Sequence, residues 1–223
     1  MREISAFDII GPIMVGPSSS HTAGALKIAK IAGKLAKGKI TSVHFKLYGS
    51  FAKTYKGHGT DRALLGGILG MNADDVNVRR SFDVAKERGV KYEFELAGED
   101  NDFHPNTVEI TVKYDGGKVV VRGSSIGGGE IEITNINGTE ISFSGRYNAV
   151  IIRQQDVPGV VARITHIFEE HKINIAYMRV YRDGPGDDAY SIVEIDGAPS
   201  ENFMTEIEKL PSIIAVRYFK LAD

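Results

Sequence analysis

No cysteine occurs anywhere in the 223 residues. That excludes a disulfide framework, a thiolate zinc site, a cysteine nucleophile and an iron–sulfur cluster held by the chain's own thiolates. No apolar run approaches the ~20 residues needed to cross a bilayer. The opening MREISAFDIIGPIMVG carries Glu3 and Asp8 and lacks the basic–apolar–small order of a signal peptide. A cytoplasmic protein with no membrane association is the expectation. Neither sign of charge dominates: 27 Lys and Arg against 29 Asp and Glu give −2, which leaves no electrostatic case for nucleic-acid binding. What remains is an ordinary globular composition, 42% apolar and 25% charged, not that of a disordered chain. At roughly 150 residues per domain, the length allows one large domain or two smaller ones.

Patterning favours two, split near 146–148. In the first part, Ala25, Ile28, Ala29, Ala32 and Leu35 share one face of a helix expected over 22–37, with Ser18, Ser19 and Ser20 as candidate caps. Val43, Phe45 and Leu47 alternate as in a half-buried strand. Thr60 or Asp61 is placed to cap a second helix running to 69, and a third covers 81–88. Strands follow at 92–96, 107–114 and 118–122, the last two joined by Asp115-Gly116-Gly117. The β pattern continues through Ile131, Ile133 and Ile136, and Asn137-Gly138 turns the chain into 140–144. This is an α+β domain with helices early and an antiparallel sheet late. The second part reads β-α-β-β-α-β: strands at 149–153, 174–181, 189–195 and 213–219, a turn at 183–187, and helices after Gly159 and over 202–210. That order is a ferredoxin-like sandwich.

Four segments have the composition of sites. GPSSSHT at 16–22 places Ser18, Ser19, Ser20, His21 and Thr22 where a helix opens; free amides there attract an anion, and imidazole moves protons near neutral pH. GHGTD at 57–61 repeats the theme, with His58 between glycines and Thr60 and Asp61 beside a helix start. Two histidines, each at a hydroxyl-rich helix start, suggest convergence on one pocket. SSIGGGE at 124–130 lacks the Lys of a phosphate loop and opens no helix, so a flexible hairpin connection is the expectation. Asp156, Val157, Pro158, Gly159 and Val160 form a strand–helix junction whose amides suit an amino-acid carboxylate, although capping with Pro in the first turn explains them equally. His44, His104, His166 and His171 have no metal-ligand spacing, and no metal site is expected.

GPSSSHT followed by GHGTD near the N-terminus, continuing through RGSSIGGGEIEI at 122–133, resembles the beta chain of bacterial iron–sulfur-dependent L-serine dehydratases (L-serine ammonia-lyases). The resemblance covers essentially the whole chain. Residues 1–145 resemble an allosteric-substrate-binding-like domain also found in some phosphoglycerate dehydrogenases, and 148–223 are similar to an ACT domain. The resemblance implies conversion of L-serine to pyruvate and ammonia. It also implies a [4Fe-4S] cluster held by three cysteines of a separate alpha chain, its open iron acting as a Lewis acid on serine. A cysteine-free chain agrees with that division of labour and departs from single-chain members, in which both parts are fused. Carried over by motif, His58 and His21 would be the catalytic histidines, with His58 as the base and His21 as an orienting or acid partner. Ser18, Ser19, Ser20, Thr22, Thr60 and Asp61 would position the substrate or these rings. Asp156–Val160 would be the effector loop. ACT-like segments pair side by side, so a homodimer through the second domain is expected.

Two other classes fit some of the same residues. A stand-alone amino-acid sensor shares most features and differs in needing no cysteine-bearing partner. A serine hydrolase using Ser20 and His21 fits poorly, because adjacent side chains diverge at a helix start and no Gly-x-Ser-x-Gly elbow is present.

Overall fold

A computed structural model describes residues 13–182, 184 and 186–220. Residues 1–12 of the N-terminal segment read above lie outside them, as do Asp183 and Pro185 of the expected turn. The chain divides into two compact units, Met1–Gly138 and Thr139–Asp223.

The first unit contains β1 (Ile40–Tyr48), β2 (Lys91–Gly98), β3 (Thr107–Tyr114), β4 (Gly117–Gly127) and β5 (Glu130–Ile136). They lie in the order β2-β1-β3-β4-β5. β1, β3, β4 and β5 are antiparallel neighbours, but β2 runs parallel to β1. The expected antiparallel sheet is therefore a mixed one, because the long helical crossover at 49–87 returns the chain in the direction it left. Ser124 and Ser125 belong to β4, so the expected flexible connection shrinks to the glycine turn after them.

A π-helical turn, Ser19–Gly24, feeds α1 (Ala25–Leu35), which ends when Ala36 turns extended. Then come α2 (Gly49–Thr54), α3 (Thr60–Ile68), a 3-10 turn at Val76–Arg80 and α4 (Ser81–Glu87). Neither α2 nor the 3-10 turn is expected from the sequence, since five or six residues are too few to show a period. α1 lies directly on α3. A Cβ added at Gly67 would sit 2.3 Å from the Leu26 carbonyl oxygen and 2.8 Å from Ala29 Cβ. Ile28, Ile31, Leu64, Leu65, Phe45 and Ile110 are fully buried between helices and sheet.

The second unit holds β6 (Thr139–Phe143), β7 (Asn148–Gln155), α5 (Val160–Glu170), β8 (Ile175–Arg182), β9 (Asp188–Ile195), α6 (Glu201–Lys209) and β10 (Ile213–Phe219). Strands β10-β7-β9-β8 form one antiparallel sheet. Val160, Ile164 and Phe168 of α5 and Phe203 and Ile207 of α6 share one core with Val150, Ile152, Val193 and Val216. That is the expected ferredoxin-like arrangement, and with the first unit it makes an α+β protein. Among the described residues, no helix is long and apolar enough to cross a membrane.

Candidate active site

Ser18 has extended backbone, and its Oγ accepts the His21 N–H at 3.2 Å, so the first of the three serines is the cap. His21 is the third residue of the π-helical turn that follows, Ser19–Gly24. Gly24 permits this position: a Cβ there would lie 2.1 Å from Ser125 Oγ on β4.

Both ring nitrogens of His21 are engaged by hydroxyls. Nδ1 lies 3.1 Å from Ser20 Oγ and 3.4 Å from Ser18 Oγ, and Nε2 lies 3.0 Å from Ser50 Oγ. The ring also meets Phe51 edge-on at 5.3 Å. Burial, followed by the neighbouring His58, lowers the His21 pKa below its usual 6.5, so the neutral ring is favoured at pH 7. Ser50 reaches this position because Gly49 adopts φ +52, with the Ser50 N–H donating to the Pro105 carbonyl at 2.7 Å. A side chain at Gly49 would strike that same carbonyl at 2.6 Å.

The second motif arrives from the other side. The His58 ring stands 4.7 Å from His21 at 69°, and Thr22 Oγ1 donates to the His58 carbonyl at 3.2 Å, tying the two loops together. His58 Nδ1 is buried and has no hydrogen-bond partner. Neither Thr60 nor Asp61 caps α3, contrary to expectation. Gly59 holds the cap position in a left-handed conformation, φ +68. Thr60 is wholly buried with Oγ1 unpartnered. Asp61 accepts the Arg62 N–H at 2.8 Å, and burial raises its carboxyl above the usual carboxylate range.

His58 also faces a cavity of about 530 Å³, with Gly16, Pro17, Thr22, Arg62 and Arg79 around it. Lys56 adds a third cation to its lining, giving a wall suited to a carboxylate. The sequence reading assigned no role to Ser50, Lys56, Arg62 or Arg79. Arg62 directly follows the GHGTD motif, no motif marks Lys56 or Arg79, and Ser50 had only the preceding glycine as a signal.

The remaining segments are less concentrated. Ser124 Oγ pairs with Thr107 Oγ1 at 2.7 Å, and buried Ser125 Oγ has no partner. At the junction of β7 and α5, Gly159 is the left-handed cap (φ +81), so Pro158 precedes the cap instead of entering the first turn. Asp156 is taken up by Arg182, 2.6 Å away. Gln154, just before this loop, is fully buried with Nε2 unpartnered. His171 and His166 pair with Glu206 and Glu169. Among the described residues, no three His, Asp or Glu side chains gather as metal ligands.

A family model described as serine dehydratase beta chain matches residues 5–100, and one described as ACT domain matches 149–212. The chain is 41% identical to a probable L-serine dehydratase beta chain of Bacillus subtilis, covering 100% of both. It is 40% identical to the L-serine dehydratase beta chain of Peptoniphilus asaccharolyticus, over 99% of this chain and 100% of that one. It is also 29% identical to a D-3-phosphoglycerate dehydrogenase of B. subtilis, over 87% of this chain but 37% of the longer enzyme. Two motif loops joined through their histidines, an ACT-type second unit and full-length similarity agree: the chain belongs to the L-serine dehydratase beta-chain family.

Proposed function

We propose that the chain is the beta subunit of an L-serine dehydratase converting L-serine to pyruvate and ammonia, with a site completed by a cysteine-bearing alpha chain. The observation that carries this reading is the unequal histidine pair. His21 is surrounded by three hydroxyls, while His58, 4.7 Å away, keeps a buried Nδ1 without a partner. A buried nitrogen left unpaired costs about 1–3 kcal/mol, a cost that a hydrogen-bond partner brought by substrate or by the completing chain would relieve. His58 is accordingly the base that takes the Cα proton, a role worth about 10²–10⁴ in rate. His21, kept neutral, orients it. Ser18, Ser19, Ser20, Thr22, Thr60 and Asp61 shape the two loops around the substrate, and Arg62, Arg79 and Lys56 supply the field for its carboxylate. Loss of the Cα proton and the Cβ hydroxyl releases water and leaves 2-aminoacrylate, which tautomerises and hydrolyses to pyruvate and ammonia.

A [4Fe-4S] cluster does not fit this chain, which has no thiolate and, among its described residues, no alternative ligand group. On this reading the alpha chain holds it, and the beta chain alone is inactive in the cytoplasm. Asp156, Val157, Pro158, Gly159 and Val160 form the effector loop, and the ACT unit pairs with a second copy of itself.

The similarity to part of D-3-phosphoglycerate dehydrogenase favours one other reading, a non-catalytic amino-acid-sensing module. Anaerobic L-serine-dependent pyruvate formation separates the two. Activity only when both chains are present supports the shared site. Full activity from the cysteine-bearing chain alone leaves the sensor.

A further inference from the structure

The apolar face of the first sheet runs on past the helices that cover it. Val43, Phe45 and Leu47 of β1 are buried, and their register partners on β2 are Tyr92, Phe94 and Leu96. Partners in register share a face, so these three carry the covered face one strand further. Phe94 stacks on Phe45 at 4.8 Å, yet Tyr92 is 42% and Leu96 53% exposed. Among the described residues β2 stands at the edge of its sheet, beside β1, and such an edge offers backbone groups to an added strand. Glu93 and Glu95 lie on the opposite face, where Glu95 meets His44 and Lys46 at 3.2 and 3.0 Å.

This strip leads to the histidine cavity. Phe82 of α4 lies 5.2 Å from Tyr92, and Tyr55 lies 5.9 Å from Phe94. Lys56 directly follows Tyr55, and Arg79 stands three residues before Phe82; both line the cavity. Lys56, Arg79 and Arg80 are exposed cations, of which Arg80 alone is offset by Asp83 at 3.8 Å. The strip therefore has a basic border, and that border selects the occupant. In a twofold pairing of identical chains each face meets itself, which would set these cations against their own copies. A different chain, apolar at its centre and acidic at its flanks, meets no such repulsion.

We propose that β2 and its aromatic flank are the docking surface of the alpha chain, which lays an apolar segment with acidic flanks over Tyr92, Phe94 and Leu96. This rests on the reading in which that chain completes the histidine cavity, and it adds where the chain is held.

The test mixes the full chain with the purified cysteine-bearing chain under anaerobic conditions and reads affinity by sedimentation velocity and amide exchange by mass spectrometry. Binding should slow exchange over 91–98 about tenfold or more. The double variant Tyr92→Thr, Leu96→Thr should raise Kd about tenfold or more. Threonine keeps strand propensity, and Glu93→Thr, on the other face of the same strand, should bind as the parent does. The exchange measurement on the parent stands even if the double variant fails to fold. Parent-like affinity in a folded double variant, or unchanged exchange over 91–98 in a complex that forms, would overturn this surface and leave the shared site standing. Slowing that follows this chain's own concentration without the alpha chain would make the face a contact between copies and overturn it as well. Failure of the two parent chains to associate would overturn both this surface and the shared site.

Discussion

Burial and the His58 ring 4.7 Å away both disfavour a proton on His21. The native His21 pKa lies below the 6.5 of an unconstrained ring, through burial first and His58 second. As pH falls, the unfolded chain therefore takes up this proton before the native one does. The resulting stability is fully present above 6.5 and is lost as pH drops from there toward the lowered native value. Urea unfolding at successive pH values should show this loss in the parent and a shallower one in His21→Gln. A second residue-scale prediction concerns Ser50, the hydroxyl 3.0 Å from His21 Nε2. Removing one neutral hydrogen bond costs about 1 kcal/mol, roughly fivefold in rate. Ser50→Ala in the assembled enzyme should lower kcat by about that factor with little change in KM, and Ser50→Thr should recover part of it.

At the scale of elements, the site depends on how closely the Ser19–Gly24 turn approaches β4. Gly24→Ala would place a Cβ 2.1 Å from Ser125 Oγ and 2.8 Å from Ser125 Cβ. Overpacking of this kind costs about 1–3 kcal/mol, measurable by denaturant unfolding. Because the clash is with the Ser125 side chain, Ser125→Gly should cancel much of the loss in the double variant. None of this closeness is written in local sequence. Elements with a full period were legible: α1 from its Ile28–Ala29–Ala32 stripe, α5 from Val160, Ile164 and Phe168, β1 from Val43, Phe45 and Leu47. The cap was legible only as one of Ser18, Ser19 and Ser20, and the structure makes it Ser18. α2 was not, being six residues long and begun by a positive-φ glycine. The parallel partner of β1 was not legible either, because pairing across a long crossover leaves no local mark. The same holds for the site. The motif histidines announce themselves, but Ser50 and Arg79 join them only through the crossover that carries α2 and the 3-10 turn.

For the whole molecule, a cysteine-free chain agrees with the division of labour proposed above, in which an alpha chain would hold the cluster. Pairing through the ACT unit predicts a solution mass of twice 24.3 kDa for the isolated chain, and a sedimentation mass of one chain would contradict it. The central claim is that this chain supplies an essential histidine to a site shared with an alpha chain. The most direct measurement is anaerobic pyruvate formation from L-serine by the co-expressed pair, comparing parent with His58→Ala at equal assembly and equal iron content. A loss of about 10²-fold or more in kcat is predicted; activity equal to the parent would contradict the account.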